Sequence, residues 1–288
     1  MANSRKSGDC LEYNIVEILV NGFNFSFYDK KSEDKFNKLK TKITNPDCNL
    51  SVKSLSKLFK DININTYNKI KFTQDNDGKK GNVSDFELYG SNDGYNTDNI
   101  KNHDIIGFSL KKNNISIKHP RPSAFNKQSN LNEANSIKYK EDYLKCNIKW
   151  YEKIKILETF NKIKALDKEQ LYLDFNNNTK KYLEKLNSEE VKAFWKFLIN
   201  YNKVYIVKYD TKKKQIILYD YLTTPDPKLI NSIEVKGNHI IISFDNGINI
   251  DLRLHNASKS ITKSLSLKYD TKILNNDKIF TQTIYELS

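Results

Sequence analysis

Up to about residue 201 apolar positions recur at helical spacing with short strand-like runs between, and from residue 203 they recur with a period of two. Over residues 9–20 Leu11, Ile15, Val16, Ile18, Leu19 and Val20 fall at helical spacing with a wide buried face, and Gly22 marks an end. Phe23, Phe25 and Phe27 alternate, which predicts a strand, and the charged residues 30–42 read as a surface helix or loop. Val52, Leu55, Leu58 and Phe59 predict a helix over residues 50–60. DNDGKKG at residues 75–81 is a turn signal, and the strand predicted at residues 82–89 puts Val83, Asp85 and Glu87 on one face and Phe86 and Leu88 on the other. After a polar loop at residues 90–104, Ile105, Ile106, Phe108 and Leu110 crowd around Gly107 as in a largely buried strand, with Lys111 where that strand leaves the core.

Helical spacing returns over residues 132–163, with Tyr143, Leu144, Trp150, Ile154, Leu157 and Phe160, then over residues 178–186 and 188–201. From residue 203 the period is two. Residues 204–209 and 215–219 flank a DTKKK turn as a hairpin, residues 233–235, 240–244 and 248–254 form a meander through GN and DNG turns, and residues 264–269 make one more strand. The expected fold is α/β: a mixed central sheet flanked by helices, followed by a C-terminal β-rich region. TTPDPK at residues 223–228 is the best candidate for a joint, and the chain divides into residues 1–200 and 201–288 unless it is one continuous domain, 1–288.

Composition narrows the function. The 288 residues are 38% hydrophobic and 12% aromatic, enough for a sizeable core and against global disorder. A formal net charge of +13 calls for an acidic partner, nucleic acid first and an anionic membrane surface second. No apolar run approaches about 18 residues and no signal peptide is visible, so a soluble cytoplasmic protein is expected. Cys10, Cys48 and Cys146 are an odd number without close pairing, and His103, His119, His239 and His255 are scattered, which supports neither a disulfide framework nor zinc. DNDG lacks the remaining ligands of a calcium loop. Of 48 basic residues only Arg5, Arg121 and Arg253 are arginine. Lysine serves as a point charge for phosphate but cannot offer the planar fork that grips a carboxylate or a guanine edge, so the arginines mark places where geometry matters.

Two strands carry candidate chemistry. If residues 82–89 pair with the strand ending at Lys111, the Asp85 carboxylate and the Lys111 ammonium meet at one sheet edge. A carboxylate that holds a hard cation beside an ammonium that stabilises phosphate charge suits phosphodiester hydrolysis. The plainer alternatives are that Lys111 is a solvated strand end and that Glu12 is a favourable charge near a helix N-terminus. Lys112, Lys118, His119 and Arg121 follow and would attract a polyanion, and Pro120 and Pro122 stiffen the presentation of Arg121.

Gly107, Ser109 and Lys111 spell G-x-S-x-K, Lys118, His119, Arg121 and Ser123 spell K-H-x-R-x-S, and Leu252 to Asp270 reads LRLHNASKSITKSLSLKYD. In these blocks the chain resembles the HaeIII-type type II restriction endonucleases of the PD…(D/E)xK nuclease superfamily. GDCLEY is similar to that family's glutamate-bearing first helix, and Asp85 lies about where its first acid stands. The resemblance implies a restriction-endonuclease-like core at residues 1–200 and a β-rich DNA-recognition region at residues 201–288. It also implies Mg2+-dependent cleavage of double-stranded DNA at a short palindrome with a GGCC-like target, by a homodimer in a prokaryotic restriction-modification system with a cognate DNA methyltransferase. Catalytic roles would fall to Asp85, Lys111 and Ser109, and metal binding to Asp85, Glu12 and Leu110. Ser109 stands where the family pattern has its second acid, so another carboxylate is needed. Glu12 is favoured, because the first helix commonly packs behind this sheet in such nucleases. Asp104 comes next, and Glu87 and Glu133 are further candidates. DNA contacts would fall to Lys118, His119, Arg121, Ser123, Arg253, His255, Asn256 and Ser258, with a purely structural hydrogen-bonding role equally open for His119, His255 and Asn256. A repair or junction-resolving nuclease, or a non-catalytic DNA-binding protein, are the alternatives.

Overall fold

The strands are β1 (Ser26–Phe27), β2 (Tyr67–Phe72), β3 (Phe86–Gly90), β4 (Ile105–Lys112), β5 (Val204–Asp210), β6 (Gln215–Tyr221), β7 (Ile230–Lys236), β8 (His239–Phe244), β9 (Asn249–Asn256), β10 (Leu267–Ile273) and β11 (Phe280–Glu286). The helices are α1 (Ala2–Phe23), α2 (Lys30–Lys42), α3 (Val52–Asp61), α4 (Phe125–Gln128), α5 (Glu133–Ile154), α6 (Ala165–Leu183) and α7 (Ser188–Ile199). They come from a computed structural model that describes residues 2–42, 50, 52–73, 84–90, 105–112, 118–199, 204–221, 225–275, 277 and 279–287. Asp104, Val83, Cys48, His103, the turn at residues 75–81, all of the polar loop but Gly90, and the first two residues of TTPDPK lie outside the described residues.

Two units share the chain discontinuously. One takes Met1–Ile115, Tyr201–Leu222 and Phe280–Ser288, and the other Ser116–Asn200 and Thr223–Ile279. The hairpin β5–β6 therefore belongs with the first 115 residues rather than with the β-rich segment that follows it, because both strands complete the first unit's sheet. That sheet is mixed, in the order β1-β2-β3-β4-β5-β6-β11. Its central strand β4 is antiparallel to β3, with Phe86 opposite Phe108 and Glu87 opposite Gly107. On its other side β4 is parallel to β5, with Ser109 beside Ile206 and Lys111 beside Lys208. A parallel neighbour requires a long crossover, and residues 118–199 are contained in it.

Phe86, Leu88, Ile106, Phe108, Tyr205, Val207, Ile216 and Leu218 of this sheet share one buried cluster with Leu11, Ile15 and Leu19 of α1 and Leu55, Leu58 and Phe59 of α3. Ile106, Gly107, Phe108 and Ser109 are all buried, which is why β4 reads as a nearly continuous apolar run rather than an alternation. Asp29 starts α2 by accepting from the Ser32 amide at 2.8 Å, and the buried Ser32 hydroxyl accepts from the Phe72 amide at 3.0 Å, tying α2 to β2.

The second unit holds an antiparallel sheet in the order β10-β9-β8-β7. Ile250, Leu252 and Leu254 of β9 and Leu267, Tyr269 and Ile273 of β10 are buried, while Asp251, Arg253, His255, Lys268, Asp270 and Lys272 alternate with them on the outward face. Tyr269 is fixed to α6 by hydrogen bonds from its hydroxyl to Asn176 Oδ1 at 3.1 Å and Thr179 Oγ1 at 3.0 Å. Residues 118–120 run along the edge of β10, where Lys118 O accepts from the Thr271 amide at 3.0 Å and Pro120 O from the Tyr269 amide at 2.7 Å. Asn187 and Glu190 cap α7 reciprocally, each side chain accepting from the other's amide at 3.0 Å.

Several elements differ from the expectations. Phe23 closes α1 and Asn24 turns the chain at φ 58°, so only Ser26–Phe27 of the alternating phenylalanines is a strand. α5 stops at Ile154, with short 3-10 turns and a left-handed Glu158 after it. α6 starts thirteen residues before the predicted 178, β10 is centred later than predicted, and β11 was not foreseen. Among the described residues no helix is long and apolar enough to cross a membrane.

Gly107 is where the central strand tolerates no side chain. A Cβ there would lie 2.1 Å from Ser84 Oγ and 3.2 Å from Val204 Cγ2. Gly107→Ala is expected to lower stability by about 1–3 kcal/mol through overpacking, read as a drop in the urea midpoint at unchanged m-value.

Candidate functional site

In the first unit the antiparallel ladder between β3 and β4 begins at Phe86, and the residue before it, Asp85, takes over the pairing with its side chain. Its amide donates to Phe108 O at 2.7 Å, and its Oδ2 accepts from the Leu110 amide at 2.5 Å. A carboxylate is thus held one residue from Lys111. Strand alternation puts Lys111 on the same face of β4 as Gly107 and Ser109, and the parallel register sets it beside Lys208, whose Nζ lies 3.8 Å from Asp210. Ser109 is buried, and its Oγ has no hydrogen-bond partner among the described residues.

Glu12 comes from α1, which packs against β4. Its side chain is only 13% exposed and accepts a hydrogen bond from Lys35 Nζ of α2 at 2.7 Å. Burial pushes the Glu12 carboxyl up from 4.5 to about 7; Lys35 opposes the rise, and the nearby negative charge of Asp85 adds to it. Glu12 and Asp85 are therefore close enough to feel one another. Lys35 also sits 4.5 Å from the centroid of the Phe72 ring.

The other carboxylate candidates are placed differently. Glu87 is buried and accepts from the Tyr89 hydroxyl at 2.8 Å, and Glu133 lies in the first turn of α5 in the second unit. Among the described residues no three His, Cys, Asp or Glu side chains gather as a metal-holding group.

The second unit brings three of the eight expected DNA-contact residues onto one carboxylate, Asp270. His119 Nδ1 lies 2.8 Å from its Oδ1, His255 Nε2 2.9 Å from the same oxygen, and a terminal nitrogen of Arg253 2.7 Å from Oδ2. Burial pushes the Asp270 carboxyl up, but the hydrogen bonds from His119, His255 and Arg253 outweigh it and hold the group well below the usual carboxylate range. His255 Nδ1 faces Asn256 O at 3.1 Å, Asn256 Nδ2 donates to Ser258 O at 2.7 Å, and Asn256 Oδ1 accepts from the Tyr172 hydroxyl at 3.5 Å. Arg121 and Ser123 are exposed. Lys118 points the other way: it is 6% exposed, its Nζ lies 4.8 Å from the Phe197 ring centroid, and burial pulls its ammonium down to about 8.

Lys35, Lys208 and Asp270 were not singled out in the sequence, and His239, whose Nδ1 lies 2.8 Å from Asp251 Oδ1, counted only as one of four scattered histidines. Nothing distinguishes Lys35 from its neighbours in a lysine-rich helix. Asp270 had a signal, being the sole acid in the block from Leu252 to Asp270. No protein-family model matches the chain, and no curated protein or solved structure does.

The raised Glu12 carboxyl has a stability signature. The folded state binds this proton more tightly than the unfolded chain does. Glu12 thus contributes stability that is complete below pH about 4.5 and is lost as pH rises through about 7. Urea denaturation between pH 5 and 8 should show wild type losing stability over this window relative to Glu12→Gln. Parallel curves would mean that Glu12 is not perturbed.

Proposed function

We propose that the chain is a Mg2+-dependent, site-specific deoxyribonuclease of the type II restriction class, built on a PD…(D/E)xK core. The observation that carries this reading is the Asp85 carboxylate held on the Leu110 amide next to Lys111, with the buried Glu12 of α1 close enough to share its field. α1 packing against the strand that bears Lys111 supports it, since the resemblance implies a glutamate-bearing helix there.

The residues fit a divalent cation. Mg2+ is usually held through one or two carboxylates together with water and substrate phosphates, and Glu12 with Asp85 makes such a pair. Burial, with Asp85 nearby, holds the Glu12 proton up to about pH 7 in spite of Lys35. When bound, Mg2+ would supply a water of lowered pKa and a counter-charge for the scissile phosphate. Lys111 would stabilise the charge that builds on the phosphate in the transition state, with Lys208 beside it raising the local positive potential. Ser109 is not an acid, and Glu12 takes the role of the missing carboxylate. In the second unit Arg121 and Arg253, with His119 and His255, are the groups through which duplex DNA would be gripped. A palindromic target would be cut by two subunits related by a two-fold axis, with a DNA methyltransferase protecting the same site.

Plasmid digestion tests the reading directly. Discrete Mg2+-dependent fragments are expected from wild type and none from Asp85→Asn or Lys111→Ala, with duplex binding retained by both variants when Ca2+ replaces Mg2+. Cuts confined to branched substrates would make it a resolving nuclease, and retardation without cutting a binding protein. Undiminished cutting by either variant would remove the assigned centre. For recognition, Arg121→Lys should cost on the order of 1–3 kcal/mol on cognate DNA and nearly nothing on random DNA if Arg121 reads guanine. Equal loss on both would leave it a phosphate contact.

A further inference from the structure

Asp270 stands in register in a row of side chains that crosses the outward face of the four-stranded sheet, and two further carboxylates flank that row, Asp251 at 2.8 Å from His239 Nδ1 and Glu234 at 2.7 Å from Lys236 Nζ. In register across the strands stand Asp270 of β10, Arg253 of β9, His239 of β8 and Lys236 of β7, and His119 joins the row from the edge segment beside β10. Neighbouring strands lie roughly 4.8 Å apart, so from β10 to β7 the row spans about 14 Å, long enough to face more than one phosphate. Lys268, paired with His255, stands one step along the same face, close enough to Arg121 and Asp270 to feel both charges.

We infer that Asp270 is a positioning residue for the sugar-phosphate backbone of duplex DNA, clamping His119 and Arg253 so that their remaining donors meet phosphates, while His255, held between Asp270 and Asn256 O, braces the carboxylate. This rests on the DNA-cleaving reading above. The three donors come from two separate segments, and all converge on a carboxylate that is itself 20% exposed. The donors keep their outer sides in solvent: the Arg253 side chain is 53% exposed and that of His119 46%. A guanidinium has five N–H donors and gives one terminal nitrogen to Asp270. His119 turns Nδ1 to Asp270, which leaves Nε2 for an external acceptor. Without the carboxylate, Arg253 would face the charges of Lys268 and Arg121 with no counter-charge between them, and it would regain the rotamers that its ion pair removes.

A clamp and simple electrostatics act with opposite signs at Asp270. Removing a negative charge from a basic face should strengthen attraction to a polyanion. Losing the clamp should weaken it. Fluorescence anisotropy with a labelled duplex in Ca2+, from 50 to 200 mM salt, is expected to show Asp270→Asn binding on the order of tenfold more weakly, with the salt slope reduced by about one to two. Thermal melting checks that the variant is folded at the assay temperature. His119→Ala, at an exposed position, is expected to lose affinity as well. Equal or tighter binding by folded Asp270→Asn, or by His119→Ala, would overturn the inference while leaving the nuclease reading intact. Absence of duplex binding by wild type would overturn both.

Discussion

The central strand β4 must satisfy its hydrogen bonds on two sides with neighbours that run in opposite directions relative to it. On the β5 side the parallel ladder continues through Lys112, whereas on the β3 side the ladder ends at Phe86. Leu110 thus has an amide with no strand beside it, in a position where an unmade hydrogen bond costs roughly 1–3 kcal/mol. The Asp85 carboxylate takes that amide. The need to close a strand end is what brings a negative charge to the place where Lys111 leaves the sheet. Gly107, three residues before Leu110, is constrained by the same arrangement, since Ser84 occupies the space its Cβ would fill.

Two partly buried carboxylates shift in opposite directions, and the number of donors around each explains why. Glu12 has one hydrogen-bonding cation, Lys35, and a second carboxylate nearby; burial wins and its proton is held up to about pH 7. Asp270 has three donors on its two oxygens, and they overwhelm a burial penalty that by itself would act the same way. The first carboxylate has room for further positive charge beside Lys35. The second is already satisfied, and its chemistry is that of an anchor for basic side chains.

Much of the strand pattern was visible in the sequence because burial dictates it directly. The apolar run around Gly107 became the central strand, and the meander from Ile230 to Asn256 appeared with its GN and DNG turns. Contacts set by tertiary pairing were less visible. The helical stretch after residue 163 has polar faces, and α6 is longer than its apolar spacing announces because Tyr172, Asn176 and Thr179 are buried against polar partners in place of aliphatic ones. Phe23 and Phe25 alternate as a strand would, but Asn24 in the left-handed region breaks the chain there. In the site, Asp85 and Lys111 stood out by their positions at strand ends. Lys35 could not, since its role comes from the packing of α2 against α1 and not from any spacing along the chain.

Arginine scarcity acquires a physical meaning at the Asp270 cluster. A lysine at position 253 could reach one carboxylate oxygen and keep further N–H donors, but on a rotating ammonium with no fixed direction. Arg253 lends one terminal nitrogen to Asp270 and keeps others on a side chain that is half exposed. The planar fork lets one residue be held by the fold and present its remaining donors in a fixed plane. Arg121 is exposed, and its backbone lies in a segment pinned by the Pro120 carbonyl to β10 and by its own amide to Gln128 at 3.3 Å. Its position is set by the main chain and its guanidinium is left to the surface. In a chain that settles for lysine at almost every other basic position, the two arginines of the second unit stand where direction matters: one oriented by a carboxylate, the other by a rigid backbone between two prolines.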